Sequence, residues 1–162
     1  MKIQTLLMNA AIAALYFVVT LVVAPFGFTH IQFRISELFN HLIVFNKKFF
    51  IGIIGGVFLA NLFLSPMKAD LLFGLAHSAL SLGITIVAAR YITNKLTLML
   101  VNSVVFSFNM FIIAYMLKVF AGFEFSFLFI WGTSAASEFL MMGIAIPIVY
   151  VLNKRVNLAA SV

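Results

Sequence analysis

From Ile3 to Ala24 the chain reads "IQTLLMNAAIAALYFVVTLVVA", 22 residues without a charged side chain. An α-helix rises about 1.5 Å per residue and a bilayer core is about 30 Å thick, so a run of this length can span it. Similar runs continue to the end of the sequence, separated by short polar punctuation, and predict helices near 5–24, 33–45, 49–64, 70–90, 95–117 and 126–152. The fold class expected is all-α integral membrane, with six transmembrane helices in a single domain over 1–162. Composition agrees: 9% of residues are charged, against about 25% in a soluble domain.

The breaks have local causes. Pro25 is expected to end the first helix, Pro66 turns the chain in "SPMKAD", Asn94 is placed to cap the fifth helix, and Pro147 is expected to kink the sixth. The second and third helices are too short to cross comfortably, while the sixth has length to spare. Lys2 precedes the first run, but Pro25 stands where a small-residue cleavage site would be needed, so the run reads as a retained helix.

Six spans put both termini on one face. With that face cytoplasmic, Lys2, Lys47, Lys48, Arg90, Lys95, Lys154 and Arg155 lie inside and Arg34, Lys68 and Lys118 outside, the positive-inside pattern. This topology accounts for the net charge of +6 without nucleic acid, because the basic residues are scattered between apolar runs. The absence of cysteine excludes disulfides, thiolate metal sites and cysteine nucleophiles. There is no HExxH, GxSxG or phosphate-binding loop, and His30, His41 and His77 lie on different segments. The chain is therefore expected not to be an enzyme and to hold neither metal nor cofactor.

Polarity is concentrated in a few places. In "IQFRISELFNHL", Arg34, Glu37 and His41 share a face at α-helical spacing, with Asn40 alongside, and Arg34 and Glu37 are expected to form a gating pair. Asp70, Gly74, His77 and Ser81 form a second polar line, and Asn102, Phe106 and Asn109 a third stripe. Asn61 and Asn102 also suit interhelical hydrogen bonding, and Trp131 also suits an interfacial belt. Glu138 lies about 12 residues into the sixth helix. A carboxylate at that depth needs a partner, a proton or a polar cavity, which makes it a functional candidate. Ala10 and Ala14 form a small-xxx-small face for close approach of another helix, and Gly52, Gly55 and Gly56 offer a second such surface. Together these features describe a binder with a polar cavity near the external face.

The segments "NAAIAALYFVVT", "PFGFTHIQFRISE", "IGGVFLANLFLSP", "DLLFG" and "SEFLMMGIAIP" occur in an order that resembles the QueT family, the substrate-binding S components of energy-coupling factor (ECF) transporters. "IQFRISE" and "ANLFLSP" are the most specific of these. The resemblance implies an S-component fold with cytoplasmic termini in a prokaryotic plasma membrane and uptake of a queuosine precursor, a 7-deazaguanine. It implies a transmembrane coupling protein and two ATPase subunits as partners, with Ala10 and Ala14 at the coupling interface. It also implies a loop, here Pro25 to Phe33, that closes over the ligand, and a protein that topples to carry its ligand inward. The chain departs from the family pattern at "LAHSALS", which contains His77, and at Ser137, where glycine is expected.

The N–H and exocyclic amino group of a 7-deazaguanine suit the two oxygens of one carboxylate, which Glu138 or Glu37 would supply, Glu138 being preferred. Asn61, His77 and Asn109 would read other heteroatoms, Trp131 or Phe33 would stack on the ring, and Glu37 or Asp70 would neutralise an aminomethyl cation. Rival readings are an S component for another vitamin or purine-like compound and an intramembrane enzyme using His77 and Glu138.

Overall fold

The interior holds apolar side chains such as Phe49, Leu98, Phe106 and Met142 together with many polar ones, while large apolar side chains also cover the outside, which a lipid solvent permits. The structure, a computed structural model, describes residues 2–27 and 34–158, of which 25–27 by their backbone alone. All the regular structure among these residues is helical: α1 (Ile3–Gly27), a 3₁₀ helix (Ile35–Val44), a 3₁₀ turn (Lys47–Phe49), α2 (Phe50–Leu64), α3 (Ala69–Ala88), α4 (Lys95–Asn109), α5 (Phe111–Phe120) and α6 (Phe127–Val156). Among the described residues, five stretches are long and apolar enough to cross a membrane: Ile3–Ala24, Lys47–Leu64, Ala69–Ala88, Lys95–Phe120 and Phe127–Val156. Leu6, Val22, Leu72, Leu140 and Ile144 lie exposed on this bundle, where lipid solvates them at no cost.

The stretch expected as a second α-helix over 33–45 is instead the 3₁₀ helix Ile35–Val44. Ten residues at about 2.0 Å rise reach about 20 Å, farther than the same residues as an α-helix but still short of a bilayer core. The segment packs against α1, α3, α4 and α6, and its Ser36, Glu37, Asn40 and His41 are buried. Long 3₁₀ runs are uncommon because their hydrogen bonds are poorly aligned. Here side chains from other helices hold both its middle and its end: Asn102 Nδ2 donates to the Asn40 carbonyl at 3.2 Å, and Lys95 Nζ to the Val44 carbonyl at 2.8 Å.

Three further boundaries differ from expectation. α1 continues through Pro25 to Gly27, since a proline in the last turn removes only one intrahelical bond. The helix expected over 95–117 is interrupted at Met110, which separates α4 from α5. α6 carries Pro147 internally and runs on to Val156, where Asn157 closes it in the left-handed conformation at φ 51°. Asn94 caps α4 as expected, accepting from the Leu96 and Thr97 amides at 2.9 and 3.2 Å.

α1 and α2 meet through small residues and one cross-helix cap. Asn9 Oδ1 accepts from the Gly52 amide at 2.6 Å, satisfying a first-turn donor of α2 from a neighbouring helix. A Cβ at Gly52 would lie 2.8 Å from the Asn9 carbonyl oxygen and 2.9 Å from its Cα, so substitution would push the helix backbones apart. Gly52→Ala is therefore expected to cost about 1–3 kcal/mol, seen as a lower unfolding midpoint of the detergent-purified protein. An unchanged midpoint would show that the two helices tolerate separation.

Candidate functional site

The 3₁₀ geometry rearranges the polar faces of Ile35–Val44. Side chains at i and i+3 eclipse in such a helix, so Glu37 and Asn40 form a row, Arg34 stands before it at the extended N-cap, and His41 is turned about 120° from Glu37. The α-helical face proposed for Arg34, Glu37 and His41 is thereby corrected. His41 instead joins a fully buried node between helices. Its Nε2 donates to the Met142 carbonyl at 3.0 Å, and its Nδ1 accepts from Asn102 Nδ2 at 3.3 Å. Thr85 Oγ1 donates to Asn102 Oδ1 at 2.7 Å, so Asn102 does serve interhelical bonding.

Glu37 is 2% exposed and engaged through both oxygens. Tyr16 Oη donates to its Oε1 at 2.9 Å, and Asn40 Nδ2 donates to its Oε2. Alongside, Thr20 Oγ1 donates to Ser36 Oγ at 2.7 Å. Arg34 Nη2 lies 3.9 Å from Asp70 Oδ1, an ion pair that spacing along the sequence does not reveal. Asp70 sits in the first turn of α3 and also accepts from Ser65 Oγ.

Asp70, Gly74, His77 and Ser81 all lie on the buried side of α3, as their spacing predicts. At Gly74 the absence of a Cβ leaves room for the Asn61 amide, which would have to shift if one were added. His77 Nε2 donates to the Phe106 carbonyl at 3.1 Å, and Trp131 Nε1 to the Phe108 carbonyl at 3.0 Å. Both carbonyls lie in the last turn of α4, just before the interruption at Met110, where the regular helical ladder fails and side-chain donors supplement it. Asn109 Nδ2 donates to Ser81 Oγ at 2.9 Å. The Trp131 ring packs with Phe108 and Phe127, at centroid distances of 5.6 and 6.3 Å. Phe33 and most of the Pro25–Phe33 loop lie outside the described residues. Ala10 and Ala14 are exposed on α1, away from the Asn9, Ala13 and Tyr16 face that meets the α2 glycines.

Outside the Arg34–Asp70 ion pair, four buried polar atoms have no hydrogen-bond partner among the described residues: Asn40 Oδ1, Asn61 Nδ2, Ser137 Oγ and Glu138 Oε1. Each such atom carries a desolvation cost of about 1–3 kcal/mol, which makes each a candidate contact for a ligand group. Glu138 is only 1% exposed, and the charges of Glu37 and Arg34 act on both Glu138 and His77. The four atoms sit on the 3₁₀ helix, α2 and α6, and comprise two acceptors, a donor and a hydroxyl. No group of three or more His, Cys, Asp or Glu placed to hold a metal occurs among the described residues. Of the four atoms, sequence reasoning identified the residues of two, Asn61 and Glu138. Asn40 was visible as one of the clustered polar residues and Ser137 as a departure from the family pattern. Tyr16 gave no chemical signal, because a tyrosine in an apolar run reads as bulk until its hydroxyl has a partner.

Residues 6–154 match the family model described as "QueT transporter". The chain is 35% identical over 160 residues to "Queuosine precursor transporter QueT" of Lactococcus lactis subsp. cremoris (strain MG1363), covering 93% of this chain and 92% of that protein. No solved structure matches the chain.

Proposed function

Because the chain belongs to the QueT transporter family and is a multi-pass membrane protein, we propose that it is the S component of an ECF importer. It captures a 7-deazaguanine queuosine precursor at the external face and delivers it inward. In this reading the buried 3₁₀ segment counts as the sixth membrane helix, both termini are cytoplasmic and residues 1–162 form one substrate-binding domain. The observation that carries the site assignment is the buried, unpartnered Oε1 of Glu138. Adjacent N–H and amino donors on one edge of a 7-deazaguanine match the two oxygens of a carboxylate. Glu37 is the poorer reader, since Tyr16 and Asn40 already donate to its oxygens.

Asn61 Nδ2 is assigned to a ring acceptor. His77 and Asn109, whose nitrogens are held by α4 and α3 respectively, form the wall, and Trp131 or Phe33 covers the ring face. Asp70, with Arg34 beside it, is assigned to the external rim below the loop, where it would meet an aminomethyl cation. Ligand binding closes the Pro25–Phe33 loop. The closed protein then topples against a coupling protein through Ala10 and Ala14, and two ATPase subunits reset it.

The test is mass spectrometry of small molecules that co-purify with the protein, followed by calorimetric titration with 7-deazaguanines, purines and vitamins. A co-purified 7-deazaguanine that rebinds in preference to guanine is the expected result. Preferential binding of a vitamin, or turnover of the bound compound, would overturn the reading.

A further inference from the structure

We propose that Glu37 acts on the ligand at second hand, by fixing which end of the Asn40 amide faces it, and that Asn40 Oδ1 is a second acceptor for a ligand N–H. This rests on the functional reading above, which assigns Glu138 as the first acceptor. An amide can present either its oxygen or its nitrogen, and the two ends have nearly the same shape. An ionised carboxylate only accepts, so Asn40 must turn its Nδ2 towards Glu37 Oε2. Glu37 is itself fixed by the Tyr16 hydroxyl at 2.9 Å on its other oxygen. The position of the amide is set separately, by the eclipsed i, i+3 register of the 3₁₀ helix and by Asn102 on the Asn40 carbonyl at 3.2 Å. What remains is Asn40 Oδ1, fully buried and without a partner among the described residues. A protein surrenders a buried acceptor in this way where something else donates to it.

The consequence is a site that demands donors at two separate atoms, Glu138 Oε1 and Asn40 Oδ1. A 7-deazaguanine base carries N–H groups on both its six-membered and five-membered rings, whereas a ring system with donors on one edge alone leaves an acceptor unmet. Glu37 is a positioning residue in this scheme, and Asn40 a specificity-determining one.

Exchanging the two side-chain types separates this role from direct ligand contact by Glu37. In Glu37→Gln the new amide nitrogen replaces Oε2 and donates to Asn40. Asn40 then turns its oxygen inward and presents Nδ2 to the ligand, donor against donor. The alternative orientation of the new glutamine would strand the buried Tyr16 proton. Affinity for the 7-deazaguanine that the wild-type protein binds, measured by calorimetry, is expected to fall by at least about tenfold. The double variant Glu37→Gln, Asn40→Asp keeps the net charge and restores an acceptor at the ligand, and should return affinity to within about threefold of wild type. An unchanged affinity in the single variant, or a loss that the double variant fails to recover, overturns the inference. If the single variant does not fold, the double variant decides alone, since its pairing is complementary throughout. Failure of the functional reading looks different, because the wild-type protein itself would then bind no 7-deazaguanine.

Discussion

Glu138→Gln is expected to weaken 7-deazaguanine binding by about a hundredfold while raising the unfolding midpoint of the ligand-free protein. Both signs come from the same atom. Oε1 of Glu138 is buried without a partner among the described residues, so without ligand the carboxylate carries a desolvation cost that the charge of Arg34 offsets only in part. Glutamine keeps the shape and removes the charge, which lowers that cost. In the loaded site the exchange replaces one of two acceptors with a donor facing the ligand's donors. Hydrogen bonds to a charged group contribute about 1.5–3 kcal/mol and an inverted pair adds the loss of the unmet groups, which gives the hundredfold scale. Calorimetric titration and thermal unfolding on the same preparation read the two effects. Undiminished affinity would remove Glu138 from the site whatever the unfolding midpoint did.

The second large effect separates binding from transport. Replacing Ala10 and Ala14 together by phenylalanine is expected to leave ligand affinity and the unfolding midpoint near wild type and to abolish uptake. Both alanines lie on the exposed side of α1, so larger apolar side chains there meet lipid and disturb no internal packing. Close approach of a partner helix depends on small residues, and two phenyl rings would hold it away. Uptake of labelled 7-deazaguanine by cells carrying the variant with its ECF partners is the measurement. Continued uptake would place the coupling surface elsewhere, and lost binding would show that the two alanines serve the fold.

Hydropathy alone foresaw a membrane bundle because bilayer thickness constrains local sequence: a span must be apolar over about 20 residues whatever surrounds it. The helix-start cap at Asn94 was legible for the same reason, since its acceptor and donors lie within three residues. The buried line Asp70, Gly74, His77 and Ser81 followed from α-helical periodicity, and Glu138 from the cost of a carboxylate in hydrocarbon. The same local logic misplaced His41, because it assumed an α-helix where a 3₁₀ helix forms.

Tertiary structure decided the rest, and in each case the deciding partner is far away in sequence. Ile35–Val44 is held as a 3₁₀ helix through Asn102 and Lys95, more than 50 positions on, so no local window contains the cause. The interruption at Met110 lacks proline and glycine, and it is supported by His77 from α3 and Trp131 from α6, which donate to the carbonyls beside it. Arg34 meets Asp70 across helices. The sequence by itself therefore determined that this chain is a helical membrane protein, with the resemblance that indicated its family, since those properties are written in hydropathy and contiguous motifs. Which polar atoms are spent inside the protein, at Glu37, His41, His77 and Asn109, and which are left open, at Asn40, Asn61, Ser137 and Glu138, only the packed helices decide. A hydrogen bond joins atoms brought together in space, and the apolar runs that carry them hold no record of the pairing.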